Sequence, residues 1–352
     1  MNIVKLRTTV LTLGALAIAC EPSGRPTAVD PVAGGLLTDA EAGDAPAWSA
    51  WSAPVNLGPV VNSPYNDNSP AISKDGLSLY ITSSPPAPRP GGRGGADIWV
   101  SQRASTDAPW GEPVDLGSNI NSAGNDGVPS LSTDGHRMYF HSTGRGGCGA
   151  ADMFVSRRHD KRDDFGWEPA ENRGCVVNSP VADNGPTIFE DDATGVTTLY
   201  FNSLRPGGLG DVDIYASTLQ ADGTFGAGVK VSELNSPFTD DRVSISRDGL
   251  EIFVSTNRPG GVGSQDIWVA TRATTLDPWS APVPLGPVVN SPYFDGGPAL
   301  SFDGTELYFF SERPGGFGGR DLYVSTRQRI NASASNPLNQ ERSSRTLSGG
   351  GR

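Results

Sequence analysis

Six polar side chains interrupt an otherwise repetitive sequence, and most of them are of types that carry out acid–base chemistry. Histidines and carboxylates are the usual proton donors and acceptors of enzymes. A catalytic site needs an asymmetric set of this kind, because a residue that recurs in every repeat more often serves the fold. No nucleophile elbow, zinc motif or His-rich cluster accompanies the set in the sequence. Its members are His136, His141, Asp211, Asp241, Arg242 and Glu312.

The elements that must position these side chains come from a unit that occurs five times. Each copy contains Asn-Ser-x-x-x-Asp, Ser-x-Asp-Gly, Leu-Tyr-Phe and Arg-Pro-Gly-Gly-x-Gly landmarks, with some departures. The copies are spaced by roughly 55 to 60 residues, a period that indicates solenoids, propellers or arrays. The opening aromatics are Trp51, Trp110, Trp167, Phe225 and Trp279, and the closing aspartates are Asp97, Asp152, Asp213, Asp266 and Asp321.

Each unit contains four short strand candidates separated by turn residues. In the second unit, the dipeptide Asp134-Gly135 is typical of a tight hairpin between the first two candidates. Pro and Gly are too frequent to leave room for helices. The four strands predicted for this unit are 128–132, 137–142, 152–157 and 167–176.

Ring closure is the strongest test of this architecture that the sequence offers. Residues 51–58 precede the first inner strand and have no unit of their own, whereas the fifth unit lacks its outermost strand. The N-terminal segment should therefore pair into the fifth unit and leave no incomplete blade. The sequence predicts an all-β fold, a five-bladed β-propeller of four-stranded antiparallel blades with its ring closed by the N-terminal strand.

The run Ser-x-Asp-Gly-x-x-Leu-Tyr-Phe, continued by Arg-Pro-Gly-Gly-x-Gly and Asp-Ile-Trp-Val-Ser, resembles the WD40-like repeats of TolB-type periplasmic propellers. It is similar to the version in cell-envelope proteins that are sometimes fused to OmpA-like domains. The resemblance covers all five units. It implies a binding or scaffolding propeller located in a bacterial envelope.

The ends of the chain differ in composition from the repeats. Residues 1–20 have a positive start and a short apolar run that ends at Cys20, which predicts a lipoprotein signal peptide with Cys20 as the lipidation site. The alternative is an ordinary secretory signal. Residues 21–47 are predicted to be a flexible tether, 48–328 the propeller and 329–352 a disordered tail. We therefore expect a monomer in the bacterial cell envelope, held to the membrane only by its lipid.

Charge and cysteine content limit the ligands. A net charge of -12 argues against nucleic acid, whose partners present a basic face. An exported chain permits disulfides, and Cys148 and Cys175 remain after Cys20. With only three histidines, none at ligand spacing, these two cysteines predict a disulfide and not a metal site.

The Asn-Ser-x-x-x-Asp element leads into each inner strand, so its five aspartates could surround the channel mouth. Such a carboxylate ring could hold a hard cation such as calcium, and no other cofactor is expected. The alternative is that each aspartate caps its own loop or pairs with an arginine of the Gly-rich loop. The aspartates are Asp67, Asp126, Asp183, Asp240 and Asp295, and the arginines are Arg89, Arg145, Arg205, Arg258 and Arg313.

A partner surface is predicted from the residue two positions before each of these aspartates. This residue is aromatic in consecutive units four, five and one, as Phe238, Tyr293 and Tyr65. Phe317, in the Gly-rich loop of the fifth unit, should lie on the same face. Exposed aromatics offer large and rigid contact area for binding. The alternative is that the rings only pack against the prolines beside them.

The predicted function is a non-catalytic module that binds or scaffolds an envelope protein or glycan. The competing interpretation is a carbohydrate-active enzyme of glycoside hydrolase type, or a lectin, on the same ring. Five-bladed propellers include glycosidases that use two separated carboxylates as acid and base. An asymmetric pocket at the channel mouth with two or three convergent carboxylates would favour the enzyme.

Overall fold

The computed structural model describes residues 47–86 and 88–330, and all regular structure in those ranges is β-strand. No helix that could span a membrane occurs among them. The predicted signal peptide with Cys20, nearly all of the tether and most of the C-terminal tail lie outside the described residues.

Twenty-two strands form five four-stranded sheets and one two-stranded ribbon. In chain order they are β1 Ala47–Trp48, β2 Val55–Asn56, β3 Asp67–Ile72, β4 Ser78–Ser83, β5 Asp97–Gln102, β6 Val114–Asp115, β7 Asp126–Leu131, β8 Arg137–Ser142, β9 Asp152–Arg157, β10 Glu171–Asn172, β11 Asp183–Glu190, β12 Thr197–Ser203, β13 Asp213–Thr218, β14 Val229–Lys230, β15 Asp240–Ile245, β16 Glu251–Thr256, β17 Asp266–Thr271, β18 Val283–Pro284, β19 Asp295–Leu300, β20 Glu306–Ser311, β21 Asp321–Thr326 and β22 Arg329–Ile330.

The sheets are the five blades of a β-propeller, as predicted. Blades 1 to 4 each use four consecutive strands, namely β3–β6, β7–β10, β11–β14 and β15–β18. Blade 5 is β19–β20–β21–β2, so the N-terminal strand supplies its outer edge. Val55 pairs with Val324 and Asn56 with Tyr323. This confirms the predicted closure of the ring.

The Leu-Tyr-Phe segments explain how the blades pack. Successive side chains of a strand point to opposite faces, and each blade lies between two others, so both faces are buried. In β4, Leu79 and Ile81 belong to the core shared with blade 5, whereas Tyr80 belongs to the core shared with blade 2. The described residues form five such cores, one at each interface between blades.

The outer strands are shorter than predicted. The segment 167–176 contains only a two-residue strand, Glu171–Asn172, and the equivalent strands of the other blades are equally short. In blades 1, 2 and 5 a turn ends the strand early: Asn172 accepts a hydrogen bond from the backbone N–H of Gly174 at 2.7 Å, and Asn56 does the same for Gly58 at 2.8 Å, as Asp115 does for Gly117 at 2.8 Å. Such Asx turns compete with continued strand pairing.

A second closure, not predicted from the sequence, joins the two ends of the ring. The ribbon pairs β1 with β22, so residues assigned to the tether and the tail take part in it. The guanidinium of Arg327 lies over the ring of Trp48 of β1, at 4.0 Å, and over the ring of Trp51, at 4.5 Å. Arg327 also forms an ion pair with Glu251 of blade 4 at 2.5 Å.

Candidate functional site

One face of the propeller carries both the Gly-rich loops and the loops that enter the inner strands, and we call it the loop face. In blade 1 the closing aspartate, Asp97, accepts hydrogen bonds from the backbone N–H groups of Arg93 at 2.8 Å and Gly94 at 3.1 Å. A Cβ on Gly92 would overlap this carboxylate, and one on Gly94 would overlap the carbonyl of Gly124 in the next blade. The Arg-Pro-Gly-Gly-x-Gly motif is therefore explained by close packing.

The five repeated aspartates of the Asn-Ser-x-x-x-Asp element serve their own loops. Asp67 has no exposed side-chain area and accepts hydrogen bonds from the backbone N–H and hydroxyl of Ser63, both at 2.7 Å. Its other oxygen binds Arg89 at 2.7 Å. The same arrangement recurs as Arg205–Asp183, Arg258–Asp240 and Arg313–Asp295, whereas in blade 2 the ion pair Arg145–Asp126 is longer, at 3.6 Å, and has no hydrogen bond.

This placement corrects the predicted carboxylate ring. Asp67, Asp126, Asp183, Asp240 and Asp295 point into the loops and are neutralised by arginine, because a buried carboxylate without a partner would be costly. They do not offer oxygens to an ion in the channel. Within the described ranges, no group of three or more His, Cys, Asp or Glu side chains is arranged to hold a metal ion.

The repeat becomes asymmetric one residue further along each inner strand. The side chains that follow the repeated aspartates differ from blade to blade, and so do their partners on the second strand. Around the ring the pairs are Asn68 with Thr82, Gly127 with His141, Asn184 with Asn202, Asp241 with Ser255, and Gly296 with Phe310.

Arg242 lies at the β-bulge of the inner strand of blade 4. Its φ of 37° is in the left-handed region, where blades 3 and 5 have Gly185 and Gly297. The side chain is 22% exposed, and its Nε lies 3.7 Å from the carboxylate of Asp241. Its guanidinium lies 5.6 Å from the ring centre of Phe310 in blade 5. The described residues give this guanidinium no hydrogen bond.

His141 and Asn202 present unsatisfied polar atoms at the same level of the ring. Neither Nδ1 of His141 nor Oδ1 of Asn202 has a hydrogen-bond partner among the described residues. Burial, and then the positive charge of Arg242, lower the pKa of His141 to about 3. The imidazole is therefore neutral near pH 7, and it remains available as a donor or an acceptor.

A second arginine and carboxylate complete this cluster from blade 5. Arg320 binds Glu312 through its Nε at 2.9 Å, and both side chains are partly exposed. The Arg320 guanidinium lies 5.1 Å from the ring centre of Phe310, the ring that Arg242 also contacts. We call His141, Asn202, Asp241, Arg242, Glu312 and Arg320 the mouth cluster.

Four of the six side chains singled out in the sequence therefore belong to the mouth cluster, and two do not. His136 lies on the opposite face, where its Nδ1 pairs with the carbonyl of Arg158 at 2.9 Å. Asp211 is exposed in the Gly-rich loop of blade 3. Asn202 and Arg320 were missed in the sequence, although alignment of the repeats shows Asn202 where other blades have Thr82, His141, Ser255 or Phe310.

The predicted aromatic arc is also on the loop face. Phe238, Tyr293 and Phe317 are 39%, 46% and 47% exposed, and Tyr65 is half-buried. The backbones of Tyr65, Phe238 and Tyr293 each pack against a glycine in the Gly-rich loop of the preceding blade, as with Tyr65 beside Gly318. Whether the exposed rings bind a partner stays a prediction.

The loop face also contains the predicted disulfide. Cys148 and Cys175 are bonded, with a sulfur–sulfur distance of 2.02 Å and a Cα–Cα distance of 5.3 Å. Cys148 is in the Gly-rich loop of blade 2, and Cys175 follows the outer strand of the same blade. The bond therefore joins two loops of one blade.

The comparisons with known proteins concern the fold. No protein-family model matches the sequence, and no curated protein is significantly similar to it. Among solved structures, an α-L-arabinofuranosidase from Lactobacillus brevis matches with a TM-score of 0.53 and 15% identity, over 79% of this chain and 94% of that one. An α-L-arabinofuranosidase from Podospora anserina, solved with cellotriose, matches with a TM-score of 0.52 and 12% identity, over 80% and 96%. A thermostable family-43 glycoside hydrolase matches with a TM-score of 0.51 and 14% identity, over 79% and 94%.

These likenesses support the five-bladed propeller and correct two predictions. The neighbours are glycoside hydrolases and not the WD40-like or TolB-type propellers that the sequence resembles. The prediction of a non-catalytic binding or scaffold module, with no enzymatic activity, is contradicted because the named proteins that share the ring are hydrolases. The enzyme, which was the alternative, is the better starting point for a proposal.

Proposed function

We propose that this protein is a glycoside hydrolase whose site is the mouth cluster on the loop face. The observation that carries the proposal is the asymmetry of the cluster. Four blades place Asn, Gly, Asn or Gly directly after the repeated aspartate, whereas blade 4 places the carboxylate of Asp241 there. A catalytic site requires an asymmetric set of polar residues. The mouth cluster is such a set, because it departs from the repeat.

Glycoside hydrolysis commonly uses two carboxyl groups on either side of the bond that is cut. One protonates the leaving oxygen, and the other activates water or attacks the sugar. Asp241 and Glu312 are the two carboxylates of the mouth cluster, with side chains 24% and 39% exposed. Each has an arginine beside it that contacts Phe310. We propose this pair as the acid and the base.

The aromatic arc supports a carbohydrate substrate. Phe238, Tyr293 and Phe317 are exposed on the face that contains the mouth cluster. They belong to blades 4 and 5, which also supply Asp241 and Glu312. Aromatic rings offer flat apolar contact to the C–H faces of sugars. A glycan chain bound along this arc would reach the carboxylates at one end.

The test is hydrolysis of small aryl glycosides by the full chain. The named neighbours make aryl α-L-arabinofuranosides the first substrates. Asp241→Asn should lower kcat by at least about 100-fold, since acid–base groups typically contribute 10²–10⁴. Asp211→Asn is the matched control, because Asp211 is an exposed aspartate outside the channel.

Two results would contradict the proposal. The first is no hydrolysis of any aryl glycoside or of arabinose- and xylose-containing polysaccharides by the wild-type chain. The second is an Asp241→Asn variant as active as Asp211→Asn. Glu312→Gln distinguishes the roles, because a general acid is needed less when the aryl leaving group is a weak base.

A further inference from the structure

We infer that the mouth cluster binds the carboxylate of an acidic sugar, a uronate, between Arg242 and Arg320. This inference rests on the proposed function and specifies the class of its substrate. The protein as a whole has a net charge of -12. Two arginines with free donors at the channel mouth are therefore opposite in sign to the net charge of the protein.

Both arginines keep their paired Nη groups available. The acidic neighbour of each pairs with Nε, Asp241 at 3.7 Å from Arg242 and Glu312 at 2.9 Å from Arg320. The described residues make no hydrogen bond to any of the four Nη atoms. The two side chains are 22% and 29% exposed, so a ligand can reach them. The free edge of a guanidinium matches the two oxygens of a carboxylate.

The two cations share one aromatic neighbour. Both lie against the ring of Phe310, at 5.6 Å and 5.1 Å from its centre. Burial, and then the neighbouring charge of Arg320, lower the pKa of Arg242, although Asp241 opposes this effect. Like charges in a partly buried site repel, and an anion bound between them removes that repulsion.

The surroundings favour a sugar over a bare anion. His141 and Asn202 present polar atoms with no partner among the described residues. Unpaired buried polar atoms are rare because they lose their hydration. Sugar hydroxyls both donate and accept, so a neutral imidazole and an amide would bind them while the arginines hold the carboxylate.

Arg242 also occupies a backbone position that does not favour its residue type. Its φ of 37° is shared with Gly185 and Gly297 at the equivalent positions of blades 3 and 5. Ser69 of blade 1 also has a positive φ at this bulge, 49°, so it is the free guanidinium and not the backbone angle that sets Arg242 apart. Val128, at the equivalent position of blade 2, has a φ of 55° and no charge, which provides a matched control.

The experiment measures binding to the full chain by calorimetry, without hydrolysis. Trigalacturonate and a glucuronate-substituted xylotriose are the acidic probes, xylotriose is the neutral probe, and inorganic phosphate and sulfate are the bare anions. We expect at least one uronate to bind about ten- to a hundredfold more tightly than xylotriose, as charge-assisted hydrogen bonds allow. The better acidic probe identifies the uronate.

Arg242→Gly should reduce uronate affinity to that of xylotriose and melt within a few degrees of the wild type, since glycine accepts this φ. Val128→Gly should keep the preference for uronate. Equal binding of acidic and neutral sugars, or phosphate and sulfate binding as tightly as the uronates, overturns the inference. Hydrolysis of neutral glycosides without that preference leaves the proposed function standing, whereas uronate binding with no hydrolysis overturns only the proposed function.

Discussion

At the residue scale, His141 shows how burial and a nearby charge change the chemistry of a side chain. Burial and the charge of Arg242 lower its pKa from 6.5 to about 3. Between these two pH values the unfolded chain binds a proton at this position that the folded protein does not. Stability therefore falls as the pH is lowered through that window.

The measurement is the free energy of unfolding by urea at pH 7 and pH 5 for the wild type and for His141→Gln. We expect the wild type to lose about 2 kcal/mol more than the variant over this range, because its unfolded imidazole titrates near 6.5. The carboxylates titrate equally in both proteins, so the difference isolates the histidine. Parallel pH profiles would show that folding does not lower the pKa of His141.

The element that matters most for the whole fold is the short strand β2. It supplies the outer edge of blade 5 and makes two backbone pairs with β21. Just before it, Trp51 packs edge-to-face against Phe253, with 6.1 Å between ring centres, and contacts Arg327. Removing this segment exposes a strand edge and part of a core at once.

We therefore predict that deleting residues 51–58 lowers the melting temperature by more than about 5 °C, since 1 kcal/mol corresponds to about 2–4 °C in a domain of this size. The deletion should also abolish any activity of the mouth cluster, because blade 5 positions Arg320 and Glu312. The control replaces 51–58 with a Gly/Ser segment of equal length. Melting within a degree or two of the parent in either variant would mean that β2 does not hold the ring closed.

At the scale of the whole molecule, polar and aromatic groups gather on one part of the loop face. Asp241, Arg242 and Phe238 come from blade 4 and its entry loop, and Glu312 and Phe317 come from blade 5. The repeated aspartates, in contrast, are distributed evenly and buried. Five-fold repetition builds the ring, and the departures from it concentrate in neighbouring blades.

The variant Tyr65→Ser, Phe238→Ser, Tyr293→Ser tests the aromatic arc. We expect it to keep its fold, since exposed substitutions usually change stability by about 0.5 kcal/mol or less, with the half-buried Tyr65 contributing most of the loss. Retention on an insoluble polysaccharide should be lost, while hydrolysis of a small aryl glycoside should remain. These two assays separate chain binding from bond cleavage.

Val181→Ser is the matched control for this variant, because Val181 occupies the same loop position in blade 3. It should bind polysaccharide like the wild type. A triple variant that unfolds would mean that the rings only pack their own loops. One that folds and retains normal binding would remove the arc from the proposed function.

The architecture could be predicted because its signals are local. Period-two alternation, Asp-Gly turns and glycines at close contacts are properties of a few neighbouring residues. Strands 137–142 and 152–157 were predicted to the residue, and the unpaired strand at the start of the repeats predicted the closure. The lengths of the outer strands were not predicted, and in blades 1, 2 and 5 an Asx turn such as that of Asn172 ends the pairing early.

The sequence by itself thus determined the ring, its number of blades and the side chains that break its symmetry. It did not decide between the two interpretations of Asp67, since a carboxylate at the start of a strand can face a channel or a loop. The position of Arg89, 22 residues away along the chain, decided that question. The mouth cluster likewise depends on ring closure, which brings together residues from blades 2 to 5. Burial and charge at a site arise from such distant neighbours, so only the tertiary structure could assign His141 its lowered pKa and Arg242 its free donors.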